Sequence, residues 1–276
     1  MAAIGGIRVG IGGWTYAPWR ANFYPAGLVQ RLELEYASRR LSAIEINGTF
    51  YRGQTPAIYA KWAAQTPAGF VFSLKAPQQV TQRGPLAKSS KAAAAFVSGG
   101  LAEFGDKLGP ILWQLQPGRV FDSDDLSAFL DALPRKLDGR PLRHVVEVRN
   151  DSFREPAYVE LAREHGVATV FTDSPEHPSF ADITGDFIYA RLLRSRAIPS
   201  GYPPDELAHW AQQAQVWAAG GDPDALPHVL PERVPTGPRE VFVTFIGSAK
   251  QRNPAAAMVL IAQLQRSASK PRRSGA

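Results

Sequence analysis

The sequence contains no cysteine, which excludes disulfide bonds, thiolate metal ligands and cysteine nucleophiles. It also has no apolar run of the roughly 18 residues that a transmembrane helix requires. Its first residues, MAAIGGIRVGIGGW, lack the basic segment and apolar core of a secretory signal peptide. These absences favour a cytoplasmic protein with no membrane segment.

Histidine is scarce, and none of the five histidines falls at the C-terminal end of a predicted strand. His144 begins a strand and His165 ends a helix, while His177 follows the sixth strand in a loop. A zinc site or a mixed histidine–carboxylate site is therefore not expected. The first strand runs into Gly-Gly-Trp, without a GxGxxG sequence or a P-loop lysine, so no nucleotide-binding fingerprint is present.

The net charge of +6 is concentrated at one end of the chain. From Lys250 onward there are six basic residues and no acidic one, whereas residues 1–249 are formally neutral. We predict one domain over residues 1–264 and a disordered basic tail over residues 265–276. A solvated tail is the favoured interpretation, and weak, salt-sensitive binding of nucleic acid is the alternative.

Eight apolar segments with β-propensity alternate with segments of helical spacing. The predicted strands are Ile7–Trp14, Ala43–Phe50, Phe70–Ala76, Pro110–Leu115, His144–Asn150, Val167–Asp173, Phe187–Leu193 and Glu240–Ile246. Eightfold alternation predicts an α/β fold, a single-domain TIM (β/α)₈ barrel. The competing fold is a doubly wound sheet, which usually has fewer strands and a glycine-rich loop after the first.

The fifth predicted strand, HVVEVRN, ends in two opposite charges. Glu147 and Arg149 are two residues apart, so they share one face of the strand, and Val146 and Val148 occupy the other. A barrel strand covered on both faces should be apolar throughout. Because active sites of closed α/β barrels lie at the C-terminal ends of the strands, this pair predicts a site there.

Other predicted strands also carry polar residues toward their C-terminal ends. These are Glu45 and Asn47, Lys75, Gln114, Asp173 and Arg191. Any one of them has a structural explanation, since barrel interiors hold ion pairs such as Glu45–Lys75. The whole set favours a functional site, because every buried charge is costly unless it is paired.

These residue types permit general acid–base chemistry on an anionic small molecule. The candidate catalytic residues are Glu45, Glu147, Asp173 and Lys75. Lys75 could complete an anion site, act as a base or form a Schiff base. The candidate substrate-binding residues are Trp14, Tyr16, Asn47, Tyr51, Gln114, Arg149, Arg191 and Tyr202. The two arginines suit a carboxylate or phosphate. The aromatic residues could form a stacking wall, although a packed hydrophobic plug is the simpler interpretation.

Two other functions remain open at this point. Glu45, Glu147 and Asp173 could hold a divalent metal with help from Gln114, as in a metal-dependent phosphoesterase. The interleaved lysine and arginine residues would repel a cation, so no cofactor is expected. A barrel that binds a ligand without catalysis is the third hypothesis. The oligomeric state is not predicted.

Several long motifs resemble the YecE-like family, a domain of unknown function that is number seventy-two in its series. They are GGWTYAPWRANFYP, EINGTFYR, TPAGFVFSLKAP, LGPILWQLQP and VVEVRNDSF, followed by Asp173 and by YARL before Tyr202. The resemblance runs from about Ile7 to Ala257. It implies a TIM barrel and brings no established activity with it.

The chain departs from the family pattern at three strand ends. Gln82 stands where the family usually has histidine, and Leu193-Arg194 stand in place of His-Gly. Gly247 lies in a turn that usually contains asparagine. If those histidine and asparagine residues serve chemistry, this chain has a changed substrate or has lost activity.

Overall fold

A computed structural model describes residues 1–232 and 237–268 of the chain. Eight parallel strands form a closed barrel, which confirms the predicted TIM fold. The strands are β1 (Ile7–Gly12), β2 (Ala43–Ile46), β3 (Val71–Lys75), β4 (Leu108–Gln114), β5 (His144–Glu147), β6 (Ala168–Thr172), β7 (Phe187–Leu192) and β8 (Glu240–Phe245). Pairing of β1 with both β2 and β8 closes the sheet.

Eight α-helices accompany the barrel strands in the described part of the chain. They are α1 (Glu33–Ser38), α2 (Pro56–Ala64), α3 (Gln78–Thr81), α4 (Ser90–Ser98), α5 (Ser123–Ala132), α6 (Pro156–Glu164), α7 (Pro204–Ala218) and α8 (Asn253–Ala268). Proline occupies the first turn of α2, α6 and α7, where its missing N–H costs nothing. Helix α4 ends before Gly99 and Gly100, and Gly100 has a φ of +117°.

Successive side chains of each strand point to opposite faces of the sheet, so the barrel strands contribute to two separate apolar layers. Alternate residues such as Val9, Ile44 and Phe72 face the helices in the outer core. The opposite face fills the barrel with an inner layer of apolar side chains: Ala43, Val71, Leu112, Val145, Ala168, Val170, Phe187, Tyr189 and Phe242. Polar side chains lie in the barrel above and below this inner layer, at the two ends of the strands.

The N-terminal end of the barrel is closed by an ion-pair triad that the sequence analysis did not predict. Glu240 accepts hydrogen bonds from both Arg8 and Arg143. Arg8 also donates to the carbonyl of Gly69 at 2.6 Å. Burial by itself raises the pKa of Glu240, but the hydrogen bond and charge of Arg143 lower it below its usual range. The charges of Arg8, Arg143 and Glu240 at this end of the barrel are thus paired with one another.

The last helix extends further than the sequence pattern predicts. Helix α8 continues to Ala268, so residues 265–268, which the sequence analysis assigns to the tail, are helical. Arg266 and Ser267 donate side-chain hydrogen bonds to backbone carbonyls four residues earlier. The rest of the predicted tail lies outside the described residues. No helix among residues 1–232 and 237–268 is long and apolar enough to cross a membrane.

Candidate active site at the C-terminal mouth

A pocket of about 350 Å³ opens at the C-terminal ends of the barrel strands. Its lining, which we call the central pocket, comprises Gly12, Asn47, Tyr51, Lys75, Gln114, Arg149, Arg191, Ile246, Lys250 and Asn253. Four of these residues carry positive charge and three are amides. Six of the predicted site residues are therefore brought to one place, by five different strands and the segments that follow them.

Arg191 organises the floor of the central pocket. Its side chain is 2% exposed, and its Nε and Nη2 donate to the two oxygens of Glu45 at 3.0 and 2.9 Å. Its Nη1 donates to Oε2 of Glu147. One guanidinium thus bridges two buried carboxylates from strands β2 and β5, a geometry that suits the planar fork of arginine.

Glu147 is held as a carboxylate. Its Oε1 accepts from Nε of Arg149 at 2.7 Å, and its Oε2 accepts from Nε2 of Gln114 at 3.0 Å. Burial by itself raises the pKa of Glu147, but the charges of Arg191 and Arg149 lower it to about 2. A carboxylate with that pKa stays ionised at neutral pH and is a poor proton donor.

Glu45 is also saturated by hydrogen bonds. Besides Arg191, it accepts from the hydroxyl of Tyr189 at 2.9 Å, and that hydroxyl lies 2.6 Å from Oγ of Ser73. The side chain of Glu45 is fully buried beneath the pocket floor. Its oxygens therefore orient Arg191, and neither is directed at the central pocket as a free acceptor.

Lys75 differs from the two arginines of the central pocket, which both pair with carboxylates. Its Nζ lies 3.7 Å from the centroid of the Phe50 ring. Within residues 1–232 and 237–268, no carboxylate oxygen lies within 4.0 Å of it. Burial and the charge of Arg191 lower the pKa of Lys75 to about 8, although Glu45 and Glu147 oppose the shift. Its amine is therefore partly neutral near physiological pH.

The predicted aromatic residues divide between the pocket and the core. Tyr51 lines the central pocket and is 75% exposed. Trp14 packs edge-on against Trp62, with ring centroids 4.9 Å apart, in the outer core. Tyr16 packs on Trp19 and lies 4.6 Å from Nζ of Lys250. Trp14 and Tyr16 thus support the mouth from outside the pocket lining.

Asp173 lines a neighbouring cleft and Tyr202 is fully buried beside it, so neither lines the central pocket. Asp173 accepts from the backbone N–H of Leu193 at 2.5 Å and from the hydroxyl of Tyr202 at 2.8 Å. Burial raises the pKa of Asp173, and these hydrogen bonds oppose the shift. The pair ties the loop after β7 to the end of β6, which is a structural role.

Tyr202→Phe should therefore lower stability without changing ligand binding at the central pocket. Loss of a hydrogen bond to a charged group costs about 1.5–3 kcal/mol. In a protein of this size that corresponds to a melting temperature lower by roughly 3–10 °C. Calorimetry measures the first effect and an anion titration the second. An equal loss of anion affinity would assign Tyr202 to the binding site.

Three residues near the mouth were missed from the sequence. Lys250 and Asn253 follow β8 and line the central pocket, but the sequence pattern indicated only the basic charge of Lys250. Oδ1 of Asn253 is buried without a partner in the described chain. Burial and the charge of Arg149 lower the pKa of His177, whose Nδ1 is likewise buried and unpaired there. The position of Asn253 at the start of the helix that follows β8 was the available signal.

The three positions at which the chain departs from the family pattern lie in segments that follow barrel strands, at the C-terminal mouth. Nε2 of Gln82 donates to the carbonyl of Gln114 at 2.6 Å, which fixes the end of β4. The backbone N–H of Leu193 donates a hydrogen bond to Oδ1 of Asp173. A Cβ on Gly247 would lie 1.8 Å from Oγ of Ser195, so no larger residue fits without movement of the loop.

The carboxylates do not assemble the metal site considered as an alternative. Glu45 and Glu147 are separated by Arg191, and Asp173 belongs to the neighbouring cleft. In the described part of the chain, no three histidine, aspartate or glutamate side chains are grouped to hold a metal ion. The residues present are thus a cation-rich set, which suits an anion better than a metal.

A larger cavity, of about 1040 Å³, lies at the opposite end of the barrel. Its charged lining residues include Asp106 and Arg140, which pair at 3.2 Å and are mostly exposed. Arg143, also in its wall, is engaged by Glu240. Asp106, Arg140 and Arg143 are thus engaged in ion pairs, and active sites of closed α/β barrels lie at the other end, so the C-terminal mouth is the stronger candidate.

Comparison with known proteins agrees with the fold. A crystal structure of a DUF72 family protein from Thermotoga maritima matches with a TM-score of 0.70 at 18% identity, covering 94% of this chain and 99% of that one. A DUF72 family protein from Enterococcus faecalis matches with a TM-score of 0.67 at 16% identity, covering 94% of each chain. No curated protein matches. The family model described as "Protein of unknown function DUF72" matches residues 8–275, and the chain therefore belongs to the DUF72 family.

Proposed function

We propose that this chain is an enzyme that binds a small polar substrate through an anionic group in the central pocket. The observation that carries the proposal is the convergence of four cationic side chains on one small cavity: Lys75, Arg149, Arg191 and Lys250. Small-molecule sites are concave and carry a few convergent polar groups, as this pocket does.

The charge balance favours an anion. Two carboxylates lie beneath the pocket, and both are already neutralised by Arg191 and Arg149. With Lys75 protonated, the four cations exceed Glu45 and Glu147 by two charges. A phosphate or carboxylate group would compensate that excess and accept hydrogen bonds from the guanidinium of Arg149.

The same surroundings favour Lys75 for proton transfer. A general acid or base works best when its pKa lies near the working pH, and that of Lys75 is about 8. Glu45 and Glu147 instead hold Arg191 in position, so we assign them a positioning role. A partly neutral amine can accept a proton from a carbon next to a carbonyl group or attack the carbonyl carbon itself, and both routes suit elimination or isomerisation.

Arg149→Gln and Lys250→Gln should each weaken the binding of inorganic phosphate. Loss of a charged hydrogen-bond donor costs about 1.5–3 kcal/mol, which is roughly a 10- to 150-fold rise in Kd. Calorimetric titration of phosphate into wild type and variants measures this change. Lys91→Gln removes one exposed charge on α4 and is the matched control. Equal weakening in the control, or no phosphate binding by the wild type, would overturn the proposal.

A further inference from the structure

We infer that Lys75 is a nucleophile that forms an imine with the carbonyl group of an anionic aldehyde or ketone, such as a 2-oxo acid or a phosphorylated sugar in its open form. The inference rests on the proposed function, because the anion site positions the substrate. It goes further by naming the bond that forms and the chemical class that can form it.

The environment of the Lys75 amine carries the inference. Lys75 is the last residue of β3, and its side chain lines the central pocket. In the described chain, Nζ makes no hydrogen bond and no ion pair, and its near neighbour is the face of the Phe50 ring. An amine that is desolvated, beside another cation and unpaired with a carboxylate is the arrangement that activates lysine as a nucleophile.

The neighbouring cation is Arg191, which is buried and permanently charged. The carboxylates of Glu45 and Glu147 pair with Arg191, and this pairing lowers the free-energy cost of burying its charge. Burial together with Arg191 lowers the pKa of Lys75 to about 8, which supplies neutral amine at physiological pH. The sequence suggested an ion pair between Glu45 and Lys75, but the carboxylate of Glu45 instead pairs with Arg191.

The rest of the central pocket provides the partners that such a substrate needs. Arg149 and Lys250 line the pocket together with Lys75 and can hold a carboxylate or phosphate. Gln114 and Asn253 offer amide groups for the oxygen that leaves the carbonyl carbon. A volume of about 350 Å³ lies at the small end of ligand sites and suits a compact metabolite.

The step is balanced without an oxidant or reductant. The neutral amine of Lys75 attacks the carbonyl carbon, a C–N bond forms, and the carbonyl oxygen takes a proton to give a carbinolamine. The hydroxyl takes up a proton from solvent and leaves as water while the nitrogen lone pair forms the C=N bond, which gives the protonated imine. Loss of the remaining N–H proton to solvent gives the neutral imine. Amine and carbonyl compound thus become imine and water. The protonated imine withdraws electrons from the adjacent carbon, which eases loss of a proton or cleavage of a C–C bond there.

Borohydride trapping tests the inference. Wild type is incubated with pyruvate, the imine is reduced with sodium cyanoborohydride, and modified lysines are located by peptide mass spectrometry. We expect the reduced pyruvate adduct at Lys75 at least 10-fold above any other lysine. Acetone, which has the carbonyl but no anionic group, should give at least 10-fold less adduct at Lys75. Lys75→Met should abolish the selective adduct, whereas Lys91→Met should leave it unchanged.

Phosphate binding, measured on the same preparations, separates the two proposals. Phosphate binding by wild type without a selective adduct at Lys75 from pyruvate or glyceraldehyde 3-phosphate would overturn the imine and leave the anion site standing. An adduct spread evenly over surface lysines would overturn it equally. Absence of phosphate binding would overturn the proposed function itself. Lys75→Arg keeps the charge and serves as a second variant if Lys75→Met does not fold.

Discussion

Arg191→Met should destabilise the folded protein by about 3–5 kcal/mol at pH 7, because it leaves two buried carboxylates without their shared cation. Glu45 loses both of its guanidinium hydrogen bonds, and Glu147 keeps only Arg149 and Gln114. The melting temperature should fall by roughly 6–20 °C. Urea unfolding followed by circular dichroism gives the free energy of unfolding directly.

This loss should depend on pH with a defined sign. In wild type the folded-state pKa of Glu147 is about 2, below its ordinary value of 4.5, so its contribution is present above pH 4.5 and is lost as pH falls toward 2. In Arg191→Met, burial without the cation favours the protonated carboxyl groups. The gap in stability between wild type and variant should therefore narrow as the pH falls from 7 to 3.

A matched variant separates charge from packing. The combined change Glu45→Gln, Glu147→Gln and Arg191→Met removes all three buried charges and should recover part of the stability lost by Arg191→Met alone. A variant Arg191→Met that is as stable as wild type at pH 7 would contradict the bridging role. So would a gap in stability that is constant over the whole pH range.

Lys75 should react with amine-directed reagents along a titration curve with a midpoint near pH 8. An ordinary lysine titrates near 10.5, so at pH 7 the neutral fraction of Lys75 is about 300-fold larger. Competitive labelling with trace acetic anhydride between pH 6 and 11, read out peptide by peptide, measures each midpoint. Exposed Lys91 is the reference lysine labelled in the same sample.

The pH dependence of the free energy of unfolding gives an independent measure of the pKa shift of Lys75. Because the folded state lowers the pKa of Lys75, the unfolded chain binds more protons between pH 8 and 10.5, and this group makes stability rise with pH in that window. Lys75→Met should remove that rise, whereas Lys91→Met should keep it. A labelling midpoint of Lys75 equal to that of Lys91 would contradict the desolvated environment.

Much of the architecture was predictable because it depends on local pattern. Eight apolar segments became eight strands, each within a few residues of its predicted ends. The two-residue period placed Glu147 and Arg149 on one face, where they now form a 2.7 Å ion pair.

The partners of the charged residues were not predictable in the same way. The sequence suggested Glu45–Lys75 as a pair, yet Glu45 bonds Arg191, which is 146 residues away. Asp173 follows a strand as the other candidates do, but its side chain is taken by a backbone N–H and Tyr202. Glu45 and Asp173 are both acidic and both lie near the C-terminal end of a strand, yet their partners differ. Those partners are set by contacts with residues that are distant in sequence.

The sequence by itself determined the number of strands, their inward faces and the end of the barrel at which polar side chains gather, because side-chain alternation is a property of each strand alone. Only the tertiary structure decided that Arg191 neutralises both carboxylates and that Lys75 is left beside an aromatic ring without an acidic partner. Closure of the barrel sets those distances, and charge interactions and desolvation depend on distance and surroundings.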